Sequence, residues 1–445
     1  MTDNFINRAI CNAWLCQIHG NKIEPVFADI QIADGIIQQI LPKNFENWLK
    51  NPQYQKQGWD AWGRIVTLPL INFHEHFYSR LAKGLPQLGP LDNFENVLKN
   101  LWWKLDWALD LEMVQASTQL GAWESIRQGV TYIFDHHASP NATCGSLRII
   151  REVLEKYGLR GVLCVETSDR NGDKLRDQSL QENRSLIQKN EKNFKGMLGL
   201  HASFTISDET LTYAAKIIKE TNSAIHIHLC EDKIDRLASV EKFGLPPTQR
   251  LERARLLNER SILAHGVNLI EPDYQTIKKS GAALAYNPDS NLNNSVGLPN
   301  FLQVPLSIPI LVGTDGMNAD IAGSLKQLFR LYRQSGASFE QAFNWIQKIY
   351  FDQLYFIKKY FDDFPSLQVG DRADFLVWDY VPPTPLTSDN FWAHYLYGIV
   401  EYPVCCVVQN GQFLMKDFVL IINNESDMKR EIARHGRRLF EKLAE

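Results

Sequence analysis

The chain has 445 residues, 44% of them hydrophobic and 22% charged. That is an ordinary globular composition, with room for one large domain and a smaller one. Its 47 Lys and Arg against 51 Asp and Glu leave a formal charge of −4, which argues against nucleic acid or an anionic membrane as the main partner.

Residues 1–67 read as short strands and turns. The opening "MTDNFINRAICNAWLCQIHG" has no basic segment ahead of an apolar core, so no signal peptide is expected. "AICNAWLCQI" and "FADIQIADGIIQQILP" alternate in hydrophobicity, and Asp34-Gly35 marks a hairpin. From residue 68 to 365 short apolar runs alternate with helix-like stretches. Eight runs stand out: "IVTLPLINF", which with Arg64 reads as one buried strand, "GVTYIFDHH", "RGVLCVETSD", "GMLGLHASF", "AIHIHLCE", "SILAHGV", "AALAYNP" and "PILVGTDG". Helix candidates lie between them, such as "LEMVQASTQLGAWESIRQG" and "SDETLTYAAKIIKET". Eight strand–helix units in about 300 residues are what a closed (β/α)8 barrel needs. The rival, a doubly wound sheet, needs a glycine-rich phosphate loop after its first strand, and none is present.

Residues 366–445 return to strands, with a second hairpin signal at Asn410-Gly411, and end in a charged helical stretch. A small β domain from 1–67 and 366–445, the C-terminal helix included, is therefore expected, with the barrel of 68–365 inserted into it. No run is long and apolar enough to span a bilayer. The seven cysteines are scattered and lack the CxxC zinc spacing. They read as reduced, buried thiols of a cytoplasmic protein.

Nearly every strand ends in a polar residue. His74 and His76 stand two apart at the end of the first, on one face of it. Asp135-His136-His137 end the second and Glu166-Thr167-Ser168-Asp169 the third. His201 ends the fourth, and His226, His228 and then Glu231 mark the fifth. His265, Tyr286-Asn287 and Asp315 end the last three. Eight of the 11 histidines fall at these ends, where a barrel carries its chemistry. Imidazole and carboxylate suit a borderline divalent metal. His74, His76, His228 and Asp315 make a three-nitrogen, one-oxygen set that leaves room for a water, whose pKa the metal would bring toward about 7. Glu231 is placed to pass a proton from that water to the leaving group; its plainer reading is a helix-start carboxylate. His265 is placed to hold the water or polarise the electrophile.

In that order, "NFHEH", "IHIHLCE", "ILAHG" and "VGTDG" resemble the amidohydrolase superfamily, within it the cytosine deaminase-like, or chlorohydrolase, group. "LWWKLDWALDLEMV", "DHHASPN", "HASFTISDETL", "LAYNPDSNLNNSVGLPN" and "GTDGMNADI" carry a closer resemblance to SsnA-type aminohydrolases. The resemblance covers essentially the whole chain, "VGDRADFLVWD" and "VVQNG" included. It implies a (β/α)8 TIM-type barrel with a small β-sandwich domain formed by both chain ends. It implies one divalent metal, usually zinc and sometimes iron. It gives the metal to His228, leaving His226 as support or packing, and makes His201 and Glu231 substrate contacts. The Asp-His-His after strand two is shared with deaminases of the 8-oxoguanine type. One of its histidines is expected in the pocket, and His137 is taken as that contact. Members with a carboxylated lysine need lysine where this chain reads Leu200-His201-Ala202, so a single metal is expected.

Three departures bear on substrate. The usual Pro-Gly before the HxH is Pro69-Leu70. Relatives acting on adenosine-type substrates carry an acidic residue in the segment that reads "NLWWKLDW" here, where Trp102 and Trp103 stand nearest. A free, flat heterocycle stacking on Trp103 is therefore expected over a nucleoside, though both tryptophans also read as core. Strand seven ends in Tyr286-Asn287-Pro288-Asp289 rather than in a histidine signature. Asn291, Asn293 and Asn294 read as turn caps. The expected activity is deamination of a purine- or pteridine-like ring by metal-activated water. Ring-opening amide hydrolysis and dehalogenation are alternatives on the same site, and a metal-free scaffold is one of another class. The expected partner is a small-molecule heterocycle, with no nucleic acid and no membrane. A homodimer is expected only because relatives often form one.

Overall fold

The computed structural model describes residues 9–52, 58–422 and 424–444. Residues 1–8, part of the stretch read as lacking a signal peptide, lie outside them. Two compact units divide the chain: 1–71, 123–131 and 361–423 form one, and 72–122, 132–360 and 424–445 the other.

The first unit carries a nine-stranded sheet. Ala9–His19, Lys22–Ala33 and Ile36–Pro42 pair antiparallel in succession. Trp59–Asp60 runs parallel beside Ala9–His19. Ile65–Thr67 pairs parallel with Ala9–His19 and antiparallel with Phe375–Trp378. Val404–Gln409, Gln412–Lys416 and Val419–Leu420 extend the sheet antiparallel. Strands from both stretches of sequence thus share one hydrogen-bonded layer. Both hairpin signals form turns with positive φ at each central residue: 51° and 76° at Asp34-Gly35, 52° and 70° at Asn410-Gly411. That twist suits the flanking strands.

The run from Arg64 to Phe73 is two strands, not the single one expected. Ile65–Thr67 belongs to the nine-stranded sheet, and Leu70–Glu75 starts another. Pro69 between them has no N–H to give a ladder.

The remaining strands form two further sheets. One orders Leu70–Glu75, Val130–His137, Arg160–Val165 and the short Phe194–Gly196. The other orders Leu198–Ala202, Ile225–Leu229, Ile262–His265, Ala283–Tyr286 and Ile310–Val312, all parallel. Two isolated parallel bridges link them, Thr167 to Leu200 and Glu75 to Asp315. Side chains of these strands are buried on both faces, which is why they read as continuous apolar runs rather than alternating ones.

Helices connect successive strands. Ser207 caps Asp208–Thr221 by accepting from the Thr210 N–H, and Leu211, Ala214, Ile217 and Ile218 bury one stripe of that helix. Ser338 and Gln341 form a capping box for Phe339–Ile357. The C-terminal helix Glu425–Ala444, grouped with the end strands from its place in sequence, lies in the second unit. Met428, His435 and Leu439 are buried along it, and Arg438 pairs with Asp110 at 2.6 Å and Glu112 at 2.7 Å. Among the described residues no helix is long and apolar enough to cross a membrane. All seven cysteines are free; six are buried and Cys144 is exposed.

Gly199 lets the third and fourth parallel strands approach. A Cβ there would lie 2.3 Å from the Val165 carbonyl oxygen. Gly199→Ala should cost about 1–3 kcal/mol by overpacking. A denaturation midpoint equal to that of the parent protein would contradict this account.

Candidate metal centre and active site

The polar strand ends converge. His74, in Leu70–Glu75, and His76, just past its end, both reach Asp315, whereas Glu75 between them pairs with Arg80. Nitrogens of His74, His228 and His265 and a carboxylate oxygen of Asp315 all lie within 4.8 Å of one another. His76 enters beside them rather than within that set. Its Nε2 is 2.7 Å from Asp315 Oδ1 and 3.1 Å from His228 Nε2. His74 Nε2 is 3.4 Å from the same Asp315 oxygen.

Hydrogen bonds fix which nitrogen each ring presents. His76 Nδ1 faces the His136 carbonyl, and His228 Nδ1 faces the His201 carbonyl at 2.9 Å. A carbonyl only accepts, so both Nδ1 atoms carry hydrogen and both Nε2 atoms present lone pairs in the neutral rings. His265 Nδ1 donates to Asn291 Oδ1 at 2.8 Å. His74 Nδ1 meets His226 Nε2 at 2.9 Å. The Nε2 atoms of His74 and His265 are buried with no hydrogen-bond partner among the described residues. The Nε2 atoms of His76 and His228 face each other. Such an arrangement needs positive charge between the rings, a proton or a cation. The donor set, imidazole nitrogen with one carboxylate, is that of a borderline divalent metal, so these residues fit one.

Electrostatics treat the rings differently. Burial drives His74 down to about 3 and His228 well below the ordinary histidine value, keeping them neutral, as metal ligation requires. For His76, burial is outweighed by Asp315, and its pKa rises to about 9. Asp315 is correspondingly held well below the usual carboxylate range, against its own burial.

Three residues here hold left-handed backbone: Cys230 at φ 49°, His265 at 74° and Asp315 at 53°. Non-glycine residues pay for this conformation in steric strain, and such strain gathers at functional sites. A buried network steadies the Asp315 loop. Glu75 accepts from Asn72 Nδ2 at 2.7 Å and pairs with Arg80. Arg80 also donates to the Gly316 and Asn318 carbonyls. Ser290 Oγ donates to Asp315 Oδ2 at 2.5 Å.

A cavity of about 700 Å³, counting the open space at its mouth, lies against this cluster. His76, His201, His228, Glu231, Asp315, Trp102 and Trp103 all line it. Glu231 Oε2 is 3.5 Å from His265 Nε2, and its Oε1 is 3.5 Å from Asn294 Nδ2. Burial raises Glu231 to about 7, against the pull of His265. Burial lowers His201 to about 4. His201 Nδ1 is 2.7 Å from Thr205 Oγ1, and its ring stands 6.5 Å from that of Trp103.

His137 is absent from the lining. It is fully buried, with Nε2 on Ser139 Oγ at 2.7 Å, so its neighbours hold it off the cavity. His136 is buried too, with Nε2 between the carbonyls of Leu200 and His226. His226 supports the His74 ring.

Sequence reasoning named no role for Glu166, Arg170 and Asp106, which also line the cavity. Only the strand-end position of Glu166 signalled it. Of the asparagines read as turn caps, Asn291 orients His265 and Asn294 reaches Glu231. The helical turn Pro288–Asn293 carries the first of them there.

Residues 65–414 match the amidohydrolase family. A 5'-deoxyadenosine deaminase from Methanosphaera stadtmanae is 25% identical over 81% of this chain and 85% of its own length. A 5-methylthioadenosine/S-adenosylhomocysteine deaminase from Pyrococcus furiosus is 29% identical over 67% of this chain and 68% of its own. The fold is shared with a crystallised adenosine deaminase from Xanthomonas campestris that holds zinc: TM-score 0.80 and 17% identity, covering 97% of this chain and 99% of that one.

Arg80→Met should cost about 3–5 kcal/mol, because the buried Glu75 carboxylate loses its cationic partner. It should also weaken divalent-cation affinity, since the loop after Asp315 loses its anchor. Chemical denaturation and zinc calorimetry read the two effects separately; parent values in both would refute the link.

Proposed function

We propose, from the premise that this chain belongs to the amidohydrolase family, that it is a metal-dependent aminohydrolase that releases ammonia from a cyclic amidine of a purine- or pteridine-like ring. The observation that carries this reading is the set of buried, inward-facing Nε2 atoms beside Asp315 and Glu231 at one cavity. The deaminase relatives support it. We also read these two sheets as one (β/α)8 barrel, supported by the two bridges that link them. The division of the chain into two units supports a barrel inserted in a small β domain, with the C-terminal helix grouped with the barrel strands.

His74, His76, His228 and Asp315 would hold one divalent cation, zinc before iron, with His265 beside it. When bound, such a cation supplies Lewis acidity and lets water ionise near neutral pH. His265 Nε2 and the Asp315 carboxylate orient the attacking water. As water adds to the amidine carbon, Glu231 takes its proton on a carboxylate oxygen. Glu231 delivers that proton to the adjacent ring nitrogen, then takes the remaining hydroxyl proton and passes it to the departing amino group. The C–N bond breaks, ammonia leaves, and the ring carbon keeps the water oxygen as a carbonyl. The Trp102 and Trp103 wall supports a flat ring as substrate, stacked on an aromatic face. The relatives' names support an adenosine-type nucleoside as a second reading.

Purified protein should hold about one equivalent of divalent metal, the count of a three-histidine, one-carboxylate catalytic site. Ammonia release over a panel of aminated heterocycles should vanish on chelation and return on zinc addition. Metal-free protein by elemental analysis would favour a scaffold, and product without ammonia would favour ring opening or dehalogenation. Glu231→Gln should lower kcat by about 10²–10⁴ while leaving metal content intact. Glu231 works as a base, so it must be ionised: kcat/KM should rise with pH through an acid limb at or below about 7. That limb should be missing in Glu231→Gln, and its survival would give the proton transfer to another group.

A further inference from the structure

Glu166 and Arg170 form a second polar wall of the same cavity. Glu166 is not among the ligands proposed above, yet one of its carboxylate oxygens lies within 4.8 Å of nitrogens on both His201 and His228. It therefore stands beside the reacting centre. Its side chain is 6% exposed. Oε1 accepts from Arg170 Nη2 at 2.9 Å, and Oε2 has no hydrogen bond among the described residues. Arg170 is locked in place. Its Nη2 also donates to Asp106 Oδ2 at 3.0 Å and its Nε to Ser168 Oγ at 3.3 Å. The guanidinium lies 4.6 Å from the centre of the Trp103 ring. Its Nη1 makes no hydrogen bond among the described residues.

We propose that Glu166 and Arg170 read the edge of the substrate ring, and that this ring carries an N–H next to its amidine carbon and a carbonyl beyond it. That sequence of groups is the 2-amino-4-oxopyrimidine edge, as in guanine and pterin. The inference rests on the aminohydrolase reading and narrows its substrate class.

A carboxylate paired with a guanidinium only accepts, and a guanidinium only donates. Side by side on one wall, they match a ring N–H followed by a carbonyl. Glu231 has different neighbours, His265 and Asn294, and faces the other ring nitrogen, where a proton must arrive during the reaction. An adenine-type amidine has one bare nitrogen beside the reacting carbon and a ring-fusion carbon on its other side. With that nitrogen at Glu231, the other side offers no N–H to Glu166 and no carbonyl to Arg170, and buried polar groups left unpaired in this way discriminate strongly. An acidic substrate tail gains little here, because two carboxylates already face the Arg170 charge. Burial raises one of them, Asp106, to about 7 against the pull of Arg170.

The test is calorimetric titration of metal-replete protein with guanine, pterin, adenine and 5'-deoxyadenosine, with ammonia release followed for the same four. Guanine or pterin should bind roughly tenfold or more tightly than the other two. Glu166→Gln keeps the shape but offers an amide, and should shrink that ratio at least tenfold. Unchanged circular dichroism and metal content would show that the variant is folded and loaded. Tighter binding of adenine or 5'-deoxyadenosine, an unchanged ratio in Glu166→Gln, or no binding of any of the four would overturn the inference. So would a second equivalent of metal lost in that variant, which would make Glu166 a cation ligand. Ammonia from the adenine-type pair alone overturns the edge reading and leaves the aminohydrolase reading standing. Tight guanine or pterin binding with no ammonia from any compound does the reverse.

Discussion

The structure depends on a crowd of buried imidazoles whose outer nitrogens are already committed. His76 and His228 each give a hydrogen to a backbone carbonyl, and His265 gives one to Asn291. Their inner nitrogens then face one another and Asp315 at close range, His76 Nε2 at 3.1 Å from His228 Nε2 and 2.7 Å from Asp315 Oδ1. Lone pairs so placed repel unless positive charge stands among them. A cation satisfies several of these nitrogens at once, which a proton cannot do.

Holding that arrangement calls for rigidity beyond the strands. Three residues at the centre keep left-handed backbone, and something must oppose their relaxation. On the first strand, Glu75 stands between His74 and His76 and points away from them to Arg80. That pair and Asn72 reach Thr314 and the carbonyls beyond Asp315. The same stretch of chain thus supplies two histidines of the cluster and, between them, the anchor of the loop that carries Asp315. Alternation along a strand makes this division of labour possible.

The cavity has two chemically different parts. Near the histidines, Glu231 lies in a buried setting that keeps its carboxyl close to neutral-pH exchange, as a group that takes and gives back a proton must be. Farther along the wall, Arg170 is pinned by Asp106, Glu166 and the Trp103 face. A charged side chain held from three sides loses little freedom on binding a ligand, so it selects by geometry rather than by bulk charge. Trp103 thus braces Arg170 and lines the cavity.

What the sequence by itself determined is whatever depends on local period and local chemistry. The two hairpins follow from Asp34-Gly35 and Asn410-Gly411, the strand–helix alternation from runs of apolar residues, and the candidate ligands from histidines two apart and from polar residues closing apolar runs. What only the tertiary structure decided is which of those ends meet and what surrounds them. The first strand breaks at Pro69 because its two halves pair with different sheets. His137 stays off the cavity although its neighbours in sequence reach the site. The C-terminal helix packs in the second unit through Met428, Leu439 and Arg438. Glu166, Arg170 and Asp106 become one wall although they come from separate segments. Periodicity tells which way a side chain points from its own strand or helix. Distance between remote residues depends on packing, where many weak contacts act together and no single stretch of sequence carries the information.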